Sequence, residues 1–248
     1  MKYSLINIIL LLGLLSAGGS NAAYETDSIH GLFDQVLSQH VKNGRVDYKS
    51  IESDPRFTQY LNSISVSEPD KFLSREEKLA FWINAYNALA IRGIIDGRSP
   101  SSFFGRIGYF KLANYIAGNR QINLYDLERE ILVPLGEPRI HFAIVCASVS
   151  CPPLRSEAYV ASQLEQQLEA NASTFINNPS KNRFDGDTVY ISKIFDWFQK
   201  DFSTHSGSVQ KYLAQYVEDP DFMQKLAAEA LKIRHLAYNW HLNGEQID

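Results

Sequence analysis

Ser74-Arg-Glu-Glu-Lys-Leu-Ala-Phe-Trp-Ile-Asn-Ala-Tyr-Asn-Ala-Leu-Ala-Ile91 is the stretch on which the fold turns. Its first four residues spell a capping box: the Ser74 hydroxyl accepts from the backbone N–H three residues on, and the Glu77 carboxylate reaches back to the N–H of Ser74. From Leu79 to Ile91 nearly every position is apolar. A helix of that composition has no wet face and is surrounded by protein on most sides. Asp96-Gly97 stops it. The expectation is a central buried helix over about 75–96. Asn84 and Asn87 interrupt its apolar character. Spaced i, i+3, they share one face, and a buried amide without partners costs about 1–3 kcal/mol. Two readings stand: the amides pin a loop across the helix, or one of them lines a pocket as an oxyanion donor or as the orienter of a histidine. Trp82 and Tyr86 read as core.

Upstream of this helix, Ser28 begins a helix running to about Lys42 that Asn43-Gly44 ends, and Val46-Asp47-Tyr48 is a short extended piece. Downstream, residues 109–116 and 120–124 read as a hairpin around Ala117-Gly118-Asn119, and a short helix spans Tyr125 to Leu132 before Pro134. His141 to Cys146 has the composition of a buried strand. Residues 160–177 make an amphipathic helix, and Asp185-Gly186 is a hairpin turn between strands at 181–184 and 187–191. Two or three helices fill 193–230, and Lys232 to Trp240 is extended. Helices outweigh strands, and strand pairs are local. The pattern therefore predicts a helix-rich α+β fold with a small, mainly antiparallel sheet. No Pro/Gly/Ser-rich linker divides the chain, so residues 23–248 read as one globular domain.

The first 22 residues read as a secretory signal. Lys2 is followed by an apolar run from Leu5 to Leu15, about a dozen residues and too short for a bilayer span of roughly 20. Ser20-Asn21-Ala22 fits a small-x-small cleavage site, so the expected address is periplasmic or secreted. The whole chain has 24 Lys and Arg against 28 Asp and Glu; losing Lys2 with the leader takes the net charge from −4 to −5. That balance argues against nucleic-acid binding. Hydrophobic residues at 45% and aromatics at 12% supply a sizeable core. No later segment is long and apolar enough to span a membrane.

The chemistry-bearing residues are few. Cys146 and Cys151, four residues between them, are the only cysteines. In an exported protein they read as a disulfide. Alternatively, Cys146 is a nucleophilic thiolate, which needs a base or a positive environment. Their spacing misses the usual zinc pattern. His141 is the nearest base. On a regular strand an odd separation of five turns it away from Cys146, so it meets Cys151 more easily unless the strand bulges. His235 and His241 are non-local alternatives. Glu128 either pairs with Arg139 or holds the His141 ring in one tautomer, as the third member of a nucleophile–base–orienter set does. No phosphate loop, nucleophile elbow or HExxH sequence occurs, and no cofactor is implied.

Three segments, Glu77 to Leu89, Pro138 to Leu154 and Tyr238-Asn-Trp-His-Leu-Asn243, resemble the domain of unknown function 547 family. Val189-Tyr-Ile-Ser-Lys-Ile-Phe-Asp-Trp-Phe, with Asp201-Phe202 after it, is also similar. The resemblance spans about 40–243. It places the family's histidine and cysteine at His141 and Cys146, and its two asparagines at Asn84 and Asn87, but implies no agreed activity. In related plant sequences the position of Cys151 can be serine, which implies a role for Cys146 beyond a disulfide. The terminal motif is usually Tyr-Asp-Trp-Ser-Leu-Asn; here Asn239 and His241 replace the acid and the serine, so a mechanism needing a carboxylate at 239 does not carry over. The resulting expectation is an exported thiol-dependent hydrolase or acyl transferase with Cys146 as nucleophile, His141 as base and Asn84 or Asn87 as stabiliser. The alternative is a non-catalytic module, with a structural disulfide, that binds a small molecule or peptide; a redox pair is a third reading.

Overall fold

The computed structural model describes residues 27–244; the leader expected over residues 1–22 lies outside them. Helices α1 (Gly31–His40), α2 (Tyr48–Glu52) and α3 (Pro55–Val66) lead to α4 (Arg75–Ile95), the buried helix that the sequence predicts. A two-residue hairpin, β1 (Val41–Lys42) with β2 (Arg45–Val46), follows α1. The capping box of α4 is formed as expected. Ser74 Oγ accepts from the Glu77 N–H at 3.1 Å, and Glu77 Oε2 accepts from the N–H groups of Leu73 and Ser74 at 2.8 Å each. At the far end Gly97 adopts φ +76° and the chain turns away.

Past α4, helix α5 (Phe103–Ile107) widens into a π-helical turn over Gly108–Leu112. The expected strand therefore begins only at Tyr115. Tyr109 explains the difference: its ring is buried and its hydroxyl donates to the Ala90 carbonyl at 2.8 Å, which holds this stretch against α4. Strands β3 (Tyr115–Ala117) and β4 (Arg120–Ile122) then pair as predicted. Gly118 and Asn119 join them, both at positive φ, as a two-residue primed turn requires. Gly118 is needed twice over, because a Cβ there would lie 2.5 Å from the Trp82 indole. Helix α6 (Leu124–Asp126) likewise opens into a π-helical stretch, Leu127–Leu132.

The stretch His141–Cys146 is not a strand. Pro138–Phe142 forms a 3₁₀ turn, and irregular chain follows. The cause lies in α4: the Asn87 side chain takes the carbonyl of Ala143 and the N–H of Val145, the groups that a sheet would have used. Helix α7 (Leu164–Ile176) comes next, then the hairpin β5 (Arg183–Asp185) and β6 (Thr188–Ile191). The region read as two or three helices holds shorter ones: α8 (Ile194–Trp197), α9 (Gln199–Ser206), α10 (Val209–Ala214) and α11 (Pro220–Ala227). Strand β7 (Lys232–His235) pairs with β6 in parallel, whereas the other strand pairs are antiparallel. The fold is thus helix-rich α+β, with its strands in small separate sheets.

Buried apolar side chains gather in two clusters. One surrounds α4 and includes Phe33, Tyr60, Phe81 and Leu89; the other joins Phe142, Phe175, Phe195, Phe202 and Tyr212. Among the described residues no helix is long and apolar enough to cross a membrane.

Candidate functional site

At the seam between the two clusters lies a cavity of about 260 Å³. Tyr86 of α4 lines it. The two π-helical stretches supply a ring and three ionisable groups: Phe110 and Lys111 from the first, Glu128 and Arg129 from the second. π-Helical bulges recur at functional sites because they turn side chains out of the regular register. Arg106, Tyr125, Ile144, Trp197 and Phe198 continue the wall, and Tyr238 and Trp240 close it from the C-terminal segment.

Cys146 and Cys151 line the same cavity and are joined as a disulfide, with Cα atoms 6.1 Å apart. The turn that carries them is held from several sides. Backbone bonds run from Val149 to His241 (2.8 Å), from Ser150 to Asn239 (3.1 Å) and from Asn243 to Ala147 (3.0 Å). Ala147 sits at φ +58°, a left-handed conformation that costs an L-residue about 1–2 kcal/mol. The Tyr238 hydroxyl lies 3.1 Å from Cys146 Sγ and 3.3 Å from Ser148 Oγ; burial pushes its pKa up, so it stays a neutral phenol.

His141 is 3% exposed. Its ring stacks on Phe198 at 3.7 Å between centroids and meets Phe202 edge-on. Nε2 lies 2.8 Å from Asp201 Oδ2. Burial lowers the imidazole pKa, with the Asp201 carboxylate opposing that shift, while the hydrogen bond from His141 lowers the carboxyl pKa of Asp201. A neutral ring donating Nε2–H to Asp201 leaves Nδ1 as a lone-pair acceptor. Nδ1 is buried and has no hydrogen-bond partner among the described residues. Glu128 Oε1 stands 4.0 Å from it. Desolvation raises the Glu128 carboxyl to about 7, with Arg129 opposing and Asp201 reinforcing the shift.

The structure therefore brings Cys146, Cys151, His141 and Glu128 to one cavity. It does not bring Asn84 or Asn87 there. Asn84 is completely buried and spends its amide on both backbone groups of Tyr159, at 2.7 and 2.9 Å. Asn87 does the same at Ala143 and Val145, at 3.0 and 2.8 Å. Both pin the loop that carries the cysteines onto α4. The expected Glu128–Arg139 pair is absent: Arg139 is held by Glu137 and Glu165 at 2.7 Å each. At 4.0 Å Glu128 makes no hydrogen bond to the imidazole; Asp201 performs that orienting role. Asp201 was visible in the sequence only as part of the segment ending in Asp201-Phe202. His235 and His241 are exposed and lie outside the cavity lining.

This architecture defines a helix-rich α+β protein with an aromatic-walled cavity built against a disulfide-closed turn. Residues 70–176 match the model of the family described as "Protein of unknown function, DUF547", and this stretch of the chain belongs to that family, as its motifs imply. The matched residues include α4, both asparagines, Glu128, His141 and both cysteines, whereas Asp201, Trp197, Tyr238 and Trp240 lie beyond them. Comparisons with curated proteins and with solved structures find no match.

Proposed function

We propose that this chain is an exported small-molecule-binding protein whose ligand enters the aromatic cavity and rests against the bridged cysteine turn. One observation carries the reading: the disulfide, the Asp201-bound His141, the Glu128 carboxyl and a wall of aromatic rings converge on a single space of small-ligand size. Bonded sulfur is no nucleophile, and a bridge accords with an oxidising compartment. The leader-like residues 1–22 support the export address.

Two measurements test this. Alkylation and intact mass of protein taken from its own compartment should show two blocked cysteines and a mass starting at Ala23. Trp197 and Trp240 line the cavity, so an apolar ligand should change their fluorescence; a W197F/W240F variant should lose that change. A free, fast-alkylating thiol would instead favour the second reading, a thiol-dependent hydrolase or acyl transferase. That reading draws on the position of Cys146 Sγ in the cavity, beside the Tyr238 hydroxyl. Under it, Cys146→Ser abolishes labelling by a thiol-reactive probe.

A further inference from the structure

Three cations of the cavity are left over once the ion pairs of the protein are assigned. Among the described residues, no carboxylate oxygen comes within ion-pair distance of Arg106, Lys111 or Arg129. Each is instead laid on a ring of the cavity wall: Arg106 over Trp240 at 4.7 Å, where it also donates to the Pro100 carbonyl at 3.4 Å, Lys111 over Tyr125 at 4.3 Å and Arg129 over Phe198 at 4.4 Å. Rings steady a cation but do not neutralise it. The same space holds a single carboxyl group, Glu128, and one buried acceptor without a partner, His141 Nδ1. Its wall is otherwise aromatic and aliphatic, apart from the disulfide.

These features specify a ligand between them. We infer that the cavity takes an organic acid with an apolar or aromatic body and an N–H or O–H donor beside its carboxylate, the pattern of an N-acylated apolar amino acid or of the C-terminal residue of a peptide. The carboxylate meets the unpaired guanidinium groups, which suit it in shape and charge. The adjacent donor satisfies His141 Nδ1, held in its acceptor tautomer by Asp201. The body lies among Tyr86, Trp197 and Trp240. This inference rests on the cavity being a ligand site, as proposed above, and adds the class of ligand.

Glu128 makes the binding depend on pH. Facing it are Arg129 on its own helix, Arg106 and Lys111 from the neighbouring stretch, His141 and Asp201 from across the seam, and the phenols of Tyr86 and Tyr238. As a neutral acid it donates to the bound carboxylate; ionised, it repels it.

The test is a charge and donor series on the full mature protein, followed by calorimetry and tryptophan fluorescence. The probes are N-acetylphenylalanine, its neutral amide, 3-phenylpropionate, phenethylamine and the dipeptide N-acetyl-alanyl-phenylalanine. The acid should bind about tenfold or more tightly than its amide and measurably more tightly than 3-phenylpropionate. Phenethylamine should be the weakest. From about pH 6 to about pH 8 the affinity should fall several-fold in the wild type and stay flat in Glu128→Gln. Arg129→Gln should reduce the preference of acid over amide several-fold, and the double variant R106Q/R129Q should erase it. The wild-type series stands without any variant. Equal binding of acid and amide, or tighter binding of the amine, would overturn the inference while leaving the cavity a ligand site. No response to any probe would remove both. The dipeptide separates the two sources: binding as tight as that of the single residue places a peptide end in the cavity, and its exclusion places the free acyl amino acid there.

Discussion

At Glu128 a carboxyl group is enclosed by rings, and the chain holds its proton to about pH 7, against 4.5 for the free group. An unfolded chain releases that proton near 4.5. Between these values the native state binds more protons than the unfolded one, so Glu128 lowers stability as pH rises through this window. Below 4.5 the effect vanishes; above about 7 it is complete, at about 3 kcal/mol. Glu128→Gln should therefore melt higher than the wild type at alkaline pH and alike in acid, as thermal unfolding across the window will show; a constant offset would contradict it. His141 contributes with the opposite sign. Burial lowers its pKa, so the unfolded chain takes up a proton that the native ring refuses, and stability is lost as pH falls below 6.5. Ala147 offers a simpler test. Its left-handed φ means that Ala147→Gly should stabilise by about 1 kcal/mol in denaturant unfolding.

At the scale of elements, α4 organises its surroundings through two amides. Asn87→Ala would strand the Ala143 carbonyl and the Val145 N–H, and should destabilise by about 2–4 kcal/mol; Asn84→Ala should do the same at Tyr159. Ser74→Ala should cost about 1 kcal/mol through the lost cap. This helix was legible in the sequence because cap, apolar run and stop are all local signals, and so was the turn at Gly118-Asn119; the hairpin read at Asp185-Gly186 is present but turns one residue later, at Gly186-Asp187, because Asp185 still pairs with Thr188. The segment from His141 to Cys146 was not. Its composition is that of a strand, but the side chain of Asn87, far away in sequence, competes for its backbone groups. The cavity was half legible: Cys146 and His141 stood out as polar groups in greasy surroundings, and Glu128 was read as a neighbour of His141. Asp201 did not, since nothing local marks an aspartate as the partner of a histidine sixty residues away. The π-helical stretches that aim Phe110, Lys111, Glu128 and Arg129 inward leave no periodic trace.

Across the whole molecule, the disulfide closes a short loop and should contribute about 2 kcal/mol in the chain-entropy model, measurable as the difference between oxidised and reduced protein in denaturant. Its larger effect is to fix one wall of the cavity, so reduction should weaken ligand binding more than it weakens the fold. The segment that closes the other side is tied down at Tyr48, whose hydroxyl donates to Asn243 Oδ1 at 2.6 Å, and at the cysteine turn. Because Tyr238 and Trp240 come last in chain order among the lining residues, the cavity is complete only when the C-terminal segment has docked, and any loosening of that segment opens the pocket without touching the rest of its wall.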